Sequence, residues 1–523
     1  MDIPKQFISS PSPALVSLAL VATILFILKK WLPSCRLPPS PLALPIIGHF
    51  HLLGPLIHQS FNNLSSRYGP IFFLRLGSVK CIVVSSPEVA RDLLKSHELT
   101  FSSRKHTAAI ECLTYNSAFA FAPYGLYWKF IKRLSQTELL GPRTLEKFRP
   151  IRMDELRHFI RMLHDKSSSK EVVNVTQELL KLTNNVISRM MLSIRSSGSD
   201  GQAEEARNLI REVTQLFGEF NISDFIWFLK NIDFQGFRRR FEDVHARYDS
   251  LLERIISDRE QSRKNKKENL SRSSSSDDYD LKDFLDMMLD VVEDDFSEMK
   301  LTRNHIKALV LDYFTAGTDT TAIAIEWALA ELVNHPKLLE EARLEIDRVV
   351  GQKRMVGEAD IESLPYIQAV VKETFRLHPP IPMVARKSIE DCTINGYKIP
   401  KDTLLFVNTW SMARNPTIWE NPLEFNPGRF LHSGQEIDVK GQNFELLPFG
   451  TGRRGCPGIS LAMKELHVTL AAMIQCFDWK MCGPDGAEVE AVDMTERPGL
   501  TAPRAHDMFS LPTSRLHSDN VLA

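Results

Sequence analysis

Cys456 stands in Phe449-Gly450-Thr451-Gly452-Arg453-Arg454-Gly455-Cys456-Pro457-Gly458, a glycine-rich turn with an aromatic at its head and an arginine two residues before the sulfur. Beyond Pro457, the residues Ala462, Leu466, Leu470, Met473 and Phe477 recur at helical spacing, and proline suits the first position of a helix. The pattern predicts a thiol facing the positive end of a helix dipole, which favours the thiolate. Such a thiolate, with a cation beside it, can ligate a metal or attack an electrophile. A buried structural cysteine next to a turn is the plainer reading.

Phe449, Gly452, Arg454 and Gly458 together favour a haem ligand. Gly452 and Gly458 would let the backbone lie against a porphyrin, Arg454 would meet a propionate, and a thiolate ligand pushes electron density onto iron and favours O–O cleavage. The element that must face this loop is the stretch 302–333, long, largely apolar at its centre and poor in Gly and Pro. It predicts a buried helix about 50 Å long. Ala316-Gly317-Thr318-Asp319-Thr320-Thr321 lies in its middle. A glycine, an acid and threonines there lower helix stability, so they call for a reason. A threonine hydroxyl at 320 can bond back to the carbonyl of Ala316, bend the helix and make room for dioxygen and water. Thr320 then serves as the hydrogen-bonding alcohol and Asp319 as a proton source through water. A functionless polar kink is the alternative.

The chain has 523 residues, a formal net charge of -1 and 43% hydrophobic residues, enough for a large core. A near-neutral balance gives no reason to propose a nucleic-acid partner. Seven cysteines, at 35, 81, 112, 392, 456, 476 and 482, show no paired spacing and fit a reducing compartment. Residues 14–28 are almost wholly apolar and are followed by Lys29 and Lys30. That order predicts an uncleaved anchor over residues 1–32 with the downstream chain cytosolic, rather than a cleaved signal peptide. Prolines 38, 39, 41 and 45 predict a stiff hinge over 33–48, leaving 49–515 as one catalytic domain. Strands are expected at 71–76 and 81–84, and a surface loop at 261–278, where Lys, Arg, Ser and Asp dominate. The aromatics of 217–241, beside Arg238-Arg239-Arg240, suit either a membrane-facing lid or a helix pair over a pocket. No Gly-rich phosphate loop follows a strand, so electrons must come from a partner.

The Cys456 decad fits the cytochrome P-450 signature Phe-x-x-Gly-x-Arg-x-Cys-x-Gly at every fixed position, and 316–321 fits the family's oxygen-activation motif. The chain is identified as resembling this superfamily. The resemblance implies a mainly α fold with small β-sheets, haem b with axial Cys456, O2, and NADPH through NADPH–cytochrome P-450 reductase docked near Lys132, Arg133 and Arg453. It also implies a single-pass endoplasmic-reticulum membrane protein with a cytosolic catalytic domain. Glu373 and Arg376, on one helix face, should meet Arg429 of Pro427-Gly428-Arg429-Phe430, where Gly428 departs from the usual Glu. Trp128, Lys132 (in place of the usual Arg), Arg386 and Arg454 should approach the haem propionates.

Over longer segments the chain is similar to plant flavone synthase II and flavanone 2-hydroxylase. These are Phe101-Ser102-Ser103-Arg104, Gln215-Leu216-Phe217-Gly218-Glu219-Phe220-Asn221, Phe444-Glu445-Leu446-Leu447-Pro448-Phe449-Gly450 and 496–504. That implies C2–C3 desaturation of a flavanone, with Ser103, Phe121, Ala316, Thr320, Ile381, Met383, Leu500 and Thr501 drawn into the pocket. Isoflavone synthase, a reductase-independent haem-thiolate isomerase and a haem sensor remain as alternatives.

Overall fold

Thr302 starts the central helix, Arg303–Asn334, with a reciprocal cap. Its hydroxyl accepts from the His305 N–H, and the His305 ring accepts from the Thr302 N–H. In this computed structural model, residues 37–195, 201–230, 232–270, 282–431 and 437–515 are described. The expected anchor and the first part of the hinge lie outside them. Among the described residues no helix is long and apolar enough to cross a membrane.

The central helix is buried along most of its length. It packs against the helices Val175–Leu192 and Ile459–Cys476, the second of which follows Cys456. Gly317 has a packing reason as well as any chemical one. A Cβ at that position would come within 2.7 Å of Ile187 Cδ1, so only glycine allows the Val175–Leu192 helix this close.

The strands are few and short. Ile71–Leu76 pairs antiparallel with Val79–Val84, which pairs parallel with Leu404–Val407, which pairs antiparallel with Val384–Lys387. Alternation of apolar residues over 71–84 buries both faces of this sheet against two small clusters around Ile82 and Phe72. The sheet holds Arg386 opposite Leu405 and brings Ser103 beside Lys387 through the Lys387 N–H. A second sheet joins Phe477–Cys482 to Phe509–Ser514. Phe477, expected on the helix, is therefore the first residue of a strand.

The expected loop at 261–278 is corrected over its first part. The helix Phe237–Leu270 runs through it, because Arg263 reaches Asp286, Asp290 and Glu293 while Lys267 reaches Glu293 on the helix Phe284–Glu293. Ion pairs across two helices supply there what apolar burial does not. Residues 271–281 lie outside the described set.

Candidate active site

The loop that carries Cys456 is shaped by its own backbone. Gly450 and Gly452 have φ of 65° and 66°, a region glycine enters without strain. The Cys456 N–H donates to the Phe449 carbonyl (3.0 Å), and the Gly455 N–H to that of Gly452 (2.9 Å). A side chain at 452 would strike the Glu98 carboxylate, which accepts from the Arg453 N–H (2.5 Å) and guanidinium (2.6 Å). Gly452 is thus needed first for this clamp. Phe449 packs edge-on against Phe375, ring centres 5.1 Å apart.

Cys456 lies deep in the protein, yet its side chain is exposed, so it lines an internal cleft. The Gly458 N–H donates to its sulfur at 3.3 Å. The helix begins at Ile459 with Gly458 as its cap, two positions later than a first helical residue at Pro457 would have it. Burial pushes the thiol up; the Gly458 N–H, Lys132 and Arg104 act against this without reversing it. The helix end alone therefore does not make a thiolate here. A bound metal cation does, because a coordinating thiol loses its proton.

Around the loop stand four cations, Arg386 and Arg454 buried and Lys132 and Arg104 half-buried. Lys132, on the helix Leu126–Leu134, donates to the Gly455 carbonyl at 2.7 Å instead of facing solvent. Burial and the neighbouring arginines hold it down to about 8, against the pull of Cys456. Arg454 donates to the carbonyls of Ser102 (2.8 Å) and Ala122 (2.6 Å) and lies over the Trp128 ring at 4.5 Å. Burial and Arg104 lower it to about 9. Arg386 donates to the Arg454 carbonyl at 3.3 Å and is lowered by burial, then by Arg104 and Arg454.

Arg104 completes the group, and sequence reasoning passed over it. Burial lowers it, while Asp312 and Cys456 pull the other way. Its neighbours Ser102, Ser103, Lys105 and His106 are polar, so nothing local in the sequence marks it. Among the described residues none of these four cations forms a salt bridge, and Arg104 Nε and Arg454 Nη1 are buried without a hydrogen-bond partner. A cluster of unpaired cations beside a cysteine suits a planar metal chelate bearing carboxylates. The residues present fit haem.

The opposite wall is the middle of the central helix. Ala316 is exposed and Thr320 half-buried on a helix whose flanks are buried. The Thr320 hydroxyl donates to the Ala316 carbonyl at 2.7 Å. Asp319 is raised by burial, with Arg211 and Arg497 opposing. Two turns earlier, Asp312 accepts from the Phe119 N–H (2.5 Å), and burial raises it to about 7. This second acid, also missed from sequence, ties the helix to the segment 118–122.

The Glu373, Arg376 and Arg429 side chains meet. Arg376 makes two 2.7 Å bonds to Glu373, both groups fully buried, and Arg429 Nε reaches Glu373 at 3.0 Å. At Gly428, a side chain would meet Asn426 Oδ1 at 2.9 Å, the atom that accepts from the Gly428 N–H.

The expected pocket residues are spread more unevenly. Phe121 faces Phe217, ring centres 6.2 Å apart, and lies under Arg104. Leu500 packs on Gly218, while Thr501 is half-buried. Ile381 is 41% exposed next to the Pro380 carbonyl, which receives the Ala502 N–H. Ser103 is engaged with the sheet edge. Met383, half-buried, packs against the apolar cluster of Phe61, Phe72 and Phe406.

Residues 38–505 match the Cytochrome P450 family. The chain is 60% identical over 490 residues to the protein named cytochrome P450 93B2 of Gerbera hybrida, covering 93% of each. It is 46% identical to a 2-hydroxyisoflavanone synthase of Glycyrrhiza uralensis, covering 91% of this chain and 92% of that one. A zebra fish cytochrome P450 structure with progesterone superposes with a TM-score of 0.73 at 25% identity, over 88% of this chain and all of the other. A family match over residues 38–505 and 60% identity over nearly the whole chain show that the chain belongs to the cytochrome P450 family.

Proposed function

We propose that the protein converts flavanones to flavones, introducing the C2–C3 double bond with O2 and electrons from NADPH passed on by NADPH–cytochrome P-450 reductase. The observation that carries this is the 60% identity to the 93B2 protein over nearly the whole chain, coupled to the flavone synthase II segments at 101–104, 215–221, 444–450 and 496–504. A relative named for making a 2-hydroxyisoflavanone supports the substrate class.

When bound, the iron porphyrin supplies the oxygen activation. Cys456 would hold it, Arg104, Lys132, Arg386 and Arg454 would offset its carboxylates, and the exposed Ala316 lines the facing wall of the cleft. Asp319, raised by burial, holds a proton closer to neutral pH than an exposed carboxyl does and passes it through water towards Thr320. The Thr320 hydroxyl, already oriented by the Ala316 carbonyl, presents its oxygen to that water. Phe121, Phe217, Leu500 and Thr501 form an apolar rim for a flat polyphenol. Hydrogen leaves C2 or C3 of the flavanone, and either a second hydrogen follows or a hydroxyl added at C2 is lost as water.

Residues 1–32 anchor this body to the endoplasmic-reticulum membrane, with the catalytic side cytosolic. The exposed apolar residues Leu42, Ile46, Phe220, Trp227 and Phe234 support that placement, because Phe50 joins the two segments by ring contacts to Phe220 and Phe225.

The test is microsomes carrying this chain and a reductase, given naringenin, pinocembrin, eriodictyol or liquiritigenin. NADPH-dependent loss of two hydrogens is expected. A persistent gain of one oxygen makes the enzyme a flavanone 2-hydroxylase, and absence of product from all four defeats the substrate reading. Thr320→Ala should lower product formed per NADPH oxidised by roughly 10–10²-fold while NADPH oxidation continues. Unchanged coupling would remove Thr320 from proton delivery.

A further inference from the structure

Residues 495–505 form a hairpin whose tip carries Leu500 and Thr501. Its stem is closed by the Arg497 N–H on the Pro503 carbonyl (2.9 Å) and the Ala505 N–H on that of Thr495 (2.8 Å). Its tip side is tied to the cleft. The Ala502 N–H donates to the Pro380 carbonyl (2.9 Å), Trp327 Nε1 of the central helix donates to the Ala502 carbonyl (2.9 Å), and Arg504 reaches Glu326 of the same helix at 3.2 Å. A Cβ at Gly218 would lie 2.9 Å from the Leu500 nitrogen, so the tip also rests on the end of the helix Gly201–Gly218.

At the stem, one carboxylate gathers three donors from outside the hairpin. Glu496 Oε2 accepts from His58 Nε2 (2.6 Å) and Gln59 Nε2 (2.9 Å), both on the helix Ile57–Tyr68. Glu496 Oε1 accepts from Trp410 Nε1 (2.9 Å) on the short helix Thr409–Met412. The Glu496 and His58 side chains are 7% and 6% exposed. Burial would raise the Glu496 carboxyl, but His58, Trp410 and Gln59 hold it down to about 2. Charge-assisted bonds of this kind are roughly twice as strong as neutral ones. Two separate tethers therefore act on one short hairpin, one to the central helix at the tip and one to the first helix at the stem.

We propose that Glu496 is a positioning residue for substrate: by fixing the hairpin stem to His58, Gln59 and Trp410, it sets where Leu500 and Thr501 stand over the cleft. This rests on the flavanone reading for the identity of the substrate, though the tether itself does not. The Glu496 carboxylate is taken up by His58, Gln59 and Trp410. It acts through the hairpin, so the first helix, far from the chemistry in sequence, has a say in how the flavanone sits.

The test compares the full-length holoenzyme with Glu496→Gln and with His58→Leu, which removes one donor only. In Glu496→Gln, amide hydrogen exchange at Arg497, Ala502 and Ala505 should rise at least about 10-fold while the central helix is unchanged. The KM for naringenin should rise roughly 10-fold, with kcat within about 2-fold and the carbon monoxide band intact. His58→Leu should shift both readouts in the same direction, by less, because Gln59 and Trp410 still donate to Glu496. Unchanged exchange overturns the proposal, and so does faster exchange with an unchanged KM. Loss of the carbon monoxide band in both variants assigns Glu496 to folding and overturns it as well. A wild type inactive on every flavanone fails the substrate reading alone, and hydrogen exchange still decides the tether.

Discussion

Replacing Cys456 with serine abolishes the carbon monoxide difference band at about 450 nm and all flavanone turnover, while the polypeptide keeps its fold. The fold survives because the loop does not depend on sulfur. The Cys456 N–H still donates to Phe449, and the Gly458 N–H, now on the sulfur at 3.3 Å, finds a serine oxygen in its place. The chemistry does not survive, because a neutral hydroxyl cannot donate electron density as a thiolate does. Burial keeps the Cys456 thiol raised in the metal-free protein. Loading haem into the wild type should therefore release about one proton, and loading the serine variant should release none. Far-UV dichroism of both proteins, the reduced carbon monoxide spectrum and proton release on haem titration check the three parts. A serine variant with a wild-type band would mean that another residue holds the iron.

Those cysteine readings show where sequence was sufficient. The decad names a ligand loop because its glycines answer to backbone geometry that few other residues tolerate, as φ at Gly450 and Gly452 bears out. The central helix was legible to within a residue, since Thr302 is a strong cap and the apolar run has no breaker. The strand at 71–76 followed from its short apolar run, and the one expected at 81–84 begins two residues earlier, at Val79. What was not legible depends on partners distant in the chain. Burial around Cys456 outweighs the helix end that its sequence context advertises. Lys132 is bound to Gly455, 323 residues away, so its exposure could not be read locally. Arg104 and Asp312 look ordinary until folding removes water from both and sets them within electrostatic reach of each other. Residues 261–270 are polar enough to predict a loop, and only ion pairs to a second helix keep them helical.

Arg376→Ala should destabilise the protein by about 3–5 kcal/mol, a large part of the roughly 5–15 kcal/mol that holds a typical folded protein together. Its guanidinium bonds Glu373 twice and also donates to the carbonyls of Ala413 (2.6 Å), Pro422 (2.7 Å) and Glu424 (2.9 Å). Truncation leaves those carbonyls and a fully buried carboxylate short of donors. Arg429 and the Asn426 N–H still reach Glu373, which places the loss within that range and not beyond it. The damage travels to the haem side by a short path. Arg376 sits beside Phe375, whose ring packs on Phe449 at the head of the cysteine loop, while the 413–429 segment it fastens leads into that loop. The variant should therefore hold less haem, unfold at a lower urea concentration, and convert its 450 nm band on standing, about in proportion to the stability lost. Arg376→Lys keeps the charge but not the fork, so it should fall between the two. Urea titration followed by haem absorbance and by tryptophan fluorescence distinguishes these outcomes. An alanine variant with wild-type haem content and an unchanged midpoint would show that the buried cluster is not what fastens the Pro365–Leu377 helix to the cysteine loop.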